Sequence, residues 1–255
     1  MSSYLGRHAE LYDIFYADKP YEDEAAFVHQ LIQDHNLTAG NRILEMACGT
    51  GSHSFALEAL GYEIEATDYS GDMLSVARHK ALQRKSKVRF RQADMTCLGD
   101  PEQPFDVVIC LFDSIGYVKT NEKLARVFSR VRRQLRPGGL FIFEYWHAAA
   151  MLRGYDSIRV RRWQTRDGEL IRISQTRLDC VNQLGVVTYH IYELSGGGCT
   201  TLNETQTNRY FLAQEIDHWL TCGGFTPLKR FNGFTSDETI NEDTWHIVSL
   251  ARRDD

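Results

Sequence analysis

No apolar run in the chain approaches the roughly eighteen residues needed to cross a membrane, and the first residues carry no apolar signal region. The expectation is a protein without a membrane span or export signal, working in the cytoplasm. The six cysteines, at 48, 97, 110, 180, 199 and 222, form no CxxC pair and no close Cys/His cluster. That argues against a structural zinc site, and no metal is called for. Scattered thiols fit a reducing compartment. Cys48 and Cys110 fall at buried-looking strand ends, where cysteine acts as a small hydrophobe. A basic excess is also missing. The net charge is −5, so no global field calls for nucleic acid. Two locally basic stretches, 84–91 and 126–136, read as solvated helix faces. Internal repeats and low-complexity tracts are absent, and 255 residues suffice for one domain with an elaboration.

What is present centres on Arg42-Ile-Leu-Glu-Met-Ala-Cys-Gly-Thr-Gly-Ser52. An apolar run from Ile43 to Ala47 reads as a buried strand. Gly49 and Gly51 follow, and a helix begins at Ser52-His53. Strand, glycine turn and helix together present backbone N–H groups to a ligand. A side chain at either glycine would block close approach of a cofactor to the backbone. The loop lacks the GKS or GKT ending of a phosphate-binding loop. It also lacks the third glycine of a GxGxxG dinucleotide loop, which counts against a nicotinamide-dependent dehydrogenase.

Three further strand-like runs follow, and each ends near an acid. Tyr62 to Thr67 ends at Asp68, Lys87 to Gln92 at Ala93-Asp94-Met95, and Phe105 to Leu111 at Asp113-Ser114. Asp68 lies about where an acid meets ribose hydroxyls beyond a glycine loop. In an open parallel sheet these strand ends share one edge, and ligands bind in the crevice there. An aspartate at a strand end also caps the next helix or turn. For one residue the two readings compete. For the set with the glycine loop, the ligand reading is favoured.

Residues 1–21 are tyrosine-rich, with Tyr4, Tyr12, Tyr16 and Tyr21. Asp23 is a candidate cap for a helix from Glu24 to His35, with Ala26, Phe27, Leu31 and Ile32 inward. Gly71 to Gln83 and Asn121 to Leu135 read as further helices, the second stopped by Pro137-Gly-Gly139. Leu140 to Tyr145 is the fifth strand, with Trp146-His147 at its exit. Residues 156–211 then alternate like strands: Ile158 to Gln164, Leu170 to Leu178, Val186 to Leu194 and Thr205 to Phe211. Asp167-Gly168 is a hairpin signal and Gly196-Gly-Gly198 a loop breaker. A last helix, Ala213 to Cys222, precedes a reversed hairpin of Phe225 to Phe231 and Thr244 to Ala251.

Glu45-Met-Ala-Cys-Gly-Thr-Gly51 resembles the first motif of class I S-adenosylmethionine-dependent methyltransferases. Asp68, Ala93-Asp94-Met95 and Arg136-Pro-Gly-Gly139 fall where that superfamily has its ribose acid, its adenine-side acid and the turn before its fifth strand. The resemblance covers nearly the whole chain. It implies an α/β fold: a Rossmann-like seven-stranded methyltransferase sheet with an antiparallel β insertion after the fifth strand. It divides the chain into a cofactor-binding domain, 1–150 and 212–255, with a helical lid over 1–40, and an insertion over 151–211. The insertion walls the substrate pocket, makes a homodimer contact, or both. The cofactor implied is S-adenosylmethionine, which has no phosphate. The implied contacts are Tyr12, Glu45, Ala47, Cys48, Gly49, Gly51, Asp68, Tyr69, Met73, Asp94, Met95 and Leu111. Glu45 would hold the methionine end, and a carboxylate buried there is costly without donors. Tyr69 or Met73 would flank the adenine, or be ordinary core.

A methyl sulfonium is already activated, so the enzyme mostly positions the acceptor in a dry site. An acceptor amine must first be neutral, which calls for a base or a carboxylate that binds the ammonium. The candidates at the strand exits are Asp113, Tyr117, Glu144, Tyr145 and His147, with Tyr16 from the lid. Alternation sets Glu144 opposite Phe143 and Tyr145, turned from the site in this reading. His147 is equally a helix-capping or surface histidine. Phe112-Asp-Ser-Ile-Gly-Tyr-Val-Lys-Thr120, the Glu144-Tyr-Trp146 exit and the insertion resemble nucleotide-linked aminosugar N-methyltransferases. Glycine-type N-methyltransferases are more distantly similar. The expected partner is therefore a small-molecule acceptor, with a nucleotide sugar foremost. Methylation of glycine, another amine or a hydroxyl, and cofactor binding without turnover, remain alternatives. A diphosphate would recruit arginines such as Arg153, Arg159, Arg161, Arg162, Arg166, Arg172 and Arg177, which as edge-strand charges would equally block aggregation. The acidic balance, and the lack of an NPPY-type tetrapeptide after the fourth strand, argue against RNA or protein as acceptor.

Overall fold

The computed structural model describes residues 6–255; residues 1–5, Tyr4 of the tyrosine-rich arm included, lie outside the described residues. The chain opens with helices α1 (Arg7–Phe15) and α2 (Tyr21–His35). It then alternates β1 (Arg42–Met46), α3 (Ser52–Ala59), β2 (Glu63–Asp68), α4 (Gly71–Arg84), β3 (Arg89–Gln92) and β4 (Phe105–Cys110). A 3₁₀ turn over Ser114–Tyr117, α5 (Asn121–Gln134), β5 (Leu135–Trp146) and α6 (Ala148–Gly154) follow. Next come β6 (Ile158–Thr165), β7 (Gly168–Asp179), β8 (Leu184–Ser195) and β9 (Gly198–Arg209). The chain closes with α7 (Ala213–Cys222), β10 (Phe225–Asn232) and β11 (His246–Arg253). No helix among the described residues is long and apolar enough to cross a membrane.

Seven strands form one sheet in the order β10-β11-β5-β4-β1-β2-β3. The strands from β3 to β5 run parallel, and β11 and β10 are antiparallel additions beside β5. All six residues of β4 are buried, as expected for a central strand covered on both faces. On β5, Phe141, Phe143 and Tyr145 join the core on the α5 and α7 side. Leu140 and Ile142 join the opposite core with α2 and α3. Helix α5 shows why it packs as it does. Leu124, Val127, Phe128 and Val131 fall on one face and are buried, each contributing about 1.5–3 kcal/mol. Arg126 and Arg133 stand exposed on the other face, so this basic stretch is a solvated helix face.

Three local readings change. Helix α2 begins after Pro20 and not at an Asp23 cap, and it buries Ala25 and Val28 with Leu31 and Ile32, leaving Ala26 exposed. The helix starts about one turn earlier, just after Pro20, and its packing on the sheet sets which side chains face inward. Pro137-Gly-Gly139 does not stop α5, which has already ended at Gln134; it lies within β5, where the pairing with β4 slips between Phe105 and Val107. Strand β9 is longer than its alternation suggested, starting at Gly198. There Gly196 and Gly197 form the turn with positive φ.

Strands β6 to β9 form a separate antiparallel sheet in chain order. One face of it covers the carboxyl edge of the parallel strands. Helix α1 packs between the two sheets. Its Leu11 and Phe15 pack with Leu170 and Ile191 of the antiparallel sheet, and its Tyr12 packs against Met73 of α4.

Candidate active site

The glycine loop leaves β1 in a conformation few residues adopt. Ala47 and Gly49 both take positive φ, 54° and 57°. A Cβ on Gly49 would press within 3.2 Å of Met73 Cε. Gly51 has φ 81°, and a Cβ there would fall 2.8 Å from the Phe90 ring. Gly51 does not line the cavity. Its role is the turn into α3 and close packing on Phe90, which differs from the expected cofactor contact.

Above this loop opens a cavity of 1440 Å³. Ala47, Gly49, Asp68, Tyr69, Met73, Asp94 and Met95 line one end. Asp68 ties the loop together, with Oδ2 accepting from Gly49 N at 2.8 Å and Oδ1 from Ser70 N at 2.7 Å. Burial raises its pKa, and these backbone donors oppose the shift. Asp94 Oδ1 accepts from Thr96 N and Oγ1, both at 2.7 Å. Its Oδ2 has no hydrogen-bond partner among the described residues. Met73 is buried, while Tyr69 stays exposed at the rim.

Glu45, Cys48 and Leu111 sit behind this wall, around a 30 Å³ space large enough for about one water molecule. Glu45 accepts a hydrogen bond from Ser54 Oγ, the donor its burial requires. Burial pushes its pKa up to about 8, Ser54 opposes the shift and Asp68 adds to it. Burial likewise pushes the Cys48 thiol well up.

The other end of the cavity is built by α1, the segment after it and the exits of β4 and β5. The Tyr12 and Tyr16 rings pack tilted with centroids 4.7 Å apart, and the Tyr16 ring lies 5.0 Å from Phe112, edge to face. Lys19 Nζ sits 4.4 Å over Phe112. Tyr117 lines the cavity, its hydroxyl 3.4 Å from Gln206 Oε1. Asp113, with φ 54°, is buried beneath.

Glu144 and His246 complete this floor; the sequence offered Glu144 as a candidate but turned it from the site, and His246 was missed. Glu144 does stand opposite Phe143 and Tyr145, but its own face is the one that opens into the cavity. The reason is that Phe143 and Tyr145 fill the α5–α7 core. Glu144 Oε2 accepts from Phe112 N at 2.6 Å. His246 Nδ1 lies 3.0 Å from Glu144 Oε1 and 3.0 Å from Asp113 Oδ2. The charge of Asp113, foremost, pushes the His246 pKa up to about 11, so the ring is an imidazolium at neutral pH. Burial raises the Glu144 pKa, Asp113 adds to that, and His246 opposes it. The three donor atoms lie within 4.8 Å of one another, a spacing a divalent cation also accepts.

His147 is not brought to the cavity. It precedes α6, its Nδ1 is 3.1 Å from Thr244 O, and burial lowers its pKa. Tyr145 is enclosed in the core with no hydrogen-bond partner for its hydroxyl among the described residues. His147 occupies the N-cap position of α6, but its side chain makes no cap hydrogen bond and pairs with Thr244 instead, away from the cavity.

The residues present suit S-adenosylmethionine. The Gly49 backbone is bare where a Cβ would intrude, Asp94 Oδ2 awaits a donor, and the Asp68 and Asp94 carboxylates face this end of the space, which suits the hydroxyls and amino group of a nucleoside. Residues 43–139 match the family model for a methyltransferase domain. The putative methyltransferase YqeM of Bacillus subtilis is 27% identical over 230 residues, covering 90% of each chain. The dTDP-3-amino-3,4,6-trideoxy-alpha-D-glucopyranose N,N-dimethyltransferase of Streptomyces venezuelae is 34% identical over 178 residues, 66% of this chain and 69% of its own. A methyltransferase structure from Clostridium acetobutylicum superposes with a TM-score of 0.84 at 22% identity, over 98% of both chains. The fold, the glycine loop and these matches together place the chain in one family: it belongs to the class I S-adenosylmethionine-dependent methyltransferases.

Proposed function

We propose that the protein N-methylates a small acceptor amine, and that an aminosugar carried on a nucleoside diphosphate is the acceptor. The observation that carries the choice of nitrogen is the pair Asp113 and Glu144, held by His246 on the cavity floor. Two carboxylates there bind an ammonium and accept its proton, which an amine needs before it can attack. His246 is already protonated and serves to fix the pair. The similarity to the Streptomyces venezuelae N,N-dimethyltransferase supports the sugar acceptor. So does size, since 1440 Å³ exceeds the roughly 300–1,000 Å³ of a pocket for one small ligand.

S-adenosylmethionine, when bound, supplies an activated methyl group on a sulfonium. In this reading Asp68 meets the ribose hydroxyls, Asp94 Oδ2 the adenine amino group, and Met73, Met95 and Tyr69 the adenine faces. Ala47 and Gly49 offer backbone, Glu45 acts from behind with Cys48 and Leu111 as its apolar surround, and Tyr12 covers the end. Tyr16 and Tyr117 orient the acceptor while α1 excludes water. Free thiols at all six cysteines are compatible with work in a reducing cytoplasm.

Tyr16→Phe should lower turnover about tenfold, the value of one lost hydrogen bond at the reacting centre, with the melting temperature unchanged. Equal loss of stability and turnover would make Tyr16 a packing residue only. The acceptor class is tested by mass spectrometry of reactions with dTDP-aminosugars, glycine and simple amines. One or two added methyl groups on an aminosugar are expected. Methylation of glycine or a plain amine alone would replace the acceptor.

A further inference from the structure

Arg172 lies in the interior of the antiparallel sheet, on β7, and is 6% exposed. Four rings enclose its guanidinium. The carbon Cζ is 4.8 Å from the centre of Phe15, 5.1 Å from Trp163, 5.2 Å from Tyr189 and 5.4 Å from Tyr16. Cation–π attraction softens the burial of the charge. It does not satisfy five N–H donors. No hydrogen bond or ion pair joins Arg172 to another residue among those described, and its Nε is enclosed without a partner. A buried charge left so costs several kcal/mol.

A second observation points the same way. Arg161 of β6 stands directly opposite Arg172 in the pairing of β6 with β7. Directly opposed residues share a sheet face, and like charges there repel. Both arginines line the cavity. Edge-strand protection accounts for an exposed arginine on β6. It does not account for a buried one on β7.

We propose that Arg172 and Arg161 form an oxyanion site for the acceptor, taking a phosphate or carboxylate group that the substrate amine carries. The inference rests on the methyl-transfer reading and deepens it. The cavity is bipolar: Asp113 and Glu144 lie at the strand exits, the two arginines on the opposing sheet. Tyr16 bridges these ends, touching both Phe112 and Arg172. An acceptor with an amine at one end and an anion at the other is thereby held in one direction. A neutral amine lacking the anion leaves Arg172 unpaired. The planar guanidinium suits two-point recognition of an oxyanion, which a lysine would not reproduce.

The test is calorimetric titration of the full chain at low salt with inorganic pyrophosphate in one arm and malonate in the other. S-adenosylmethionine is titrated in parallel. Wild type should bind at least one probe, and the arm that binds tells phosphate from carboxylate. Arg172→Gln should weaken that binding about tenfold or more, with Arg172→Lys between the two. Affinity for S-adenosylmethionine should stay within about twofold, since no cofactor contact is assigned to Arg172. Absence of binding of both probes to wild type at millimolar concentration overturns the site, as does unchanged affinity in Arg172→Gln. Should that variant lose S-adenosylmethionine too, its fold is damaged, and the exposed Arg161→Gln decides: a severalfold loss supports the site, none overturns it. Failure of wild type to bind S-adenosylmethionine would count against the methyl-transfer reading and leave the anion result to stand or fall on its own arms.

Discussion

Asp68→Ala should weaken S-adenosylmethionine binding by about 1.5–3 kcal/mol, from roughly tenfold to a little over a hundredfold. Two effects combine. The substitution removes the acceptor assigned to the ribose hydroxyls. It also strips Gly49 N and Ser70 N of the oxygens they bond at 2.8 and 2.7 Å, so the glycine loop and the start of α4 lose their tie. Asp68→Asn separates these. The amide keeps one oxygen for a backbone donor, but its NH₂ meets the other N–H as donor against donor. It should therefore recover part of the loop and little of the affinity. Calorimetry on both variants reads the result, and an Asp68→Ala protein that binds as wild type removes Asp68 from the site.

Glu45→Gln should remove a large pH dependence of stability. The ordinary carboxylate value is 4.5, and burial brings Glu45 to about 8 in the folded chain. Between those values the native state keeps a proton that the unfolded chain has released. Stability therefore falls as pH rises through this window and levels off above about 8. The full loss is about 5 kcal/mol at most. Glutamine resembles the protonated acid and still accepts from Ser54. At pH 5 or below the two proteins should unfold at similar denaturant concentrations. At pH 8.5 the variant should be the more stable by a few kcal/mol. Parallel curves across the range would mean that Glu45 ionises normally. Above about pH 8 the same variant should bind S-adenosylmethionine more weakly, because the carboxylate that Glu45 then carries beside the assigned methionine end is missing.

The cofactor half of the cavity was legible because its signals are local. A buried run, two glycines and a helix lie within a dozen or so residues, and the acids at successive strand ends inherit one edge from parallel pairing alone. The alternation of 156–211 likewise announced its sheet, since period two survives without any knowledge of partners. The acceptor half was less legible because it is assembled from afar. His246 reaches Asp113 across 133 residues, from the start of a reversed strand whose first residues fall at the exits of the parallel ones. A polar Thr244-Trp-His246 entering that strand was the available signal. Glu144 was read on the wrong side because alternation gives two faces and does not say which one opens to a cavity. His147 looked catalytic by its position after β5, yet a one-residue step turns it into the bridge with Thr244 O. Arg172 was one of many insertion arginines. Only its enclosure by four rings and its missing partner set it apart.

The most direct measurement is mass spectrometry of a reaction containing the purified protein, S-adenosylmethionine labelled as CD₃ on its methyl group, and a dTDP-aminosugar. The account predicts that intact CD₃ appears on the amine nitrogen, with one S-adenosylhomocysteine formed for each group added. Label on oxygen or carbon, or cofactor bound but never consumed with any aminosugar or amine, would contradict it.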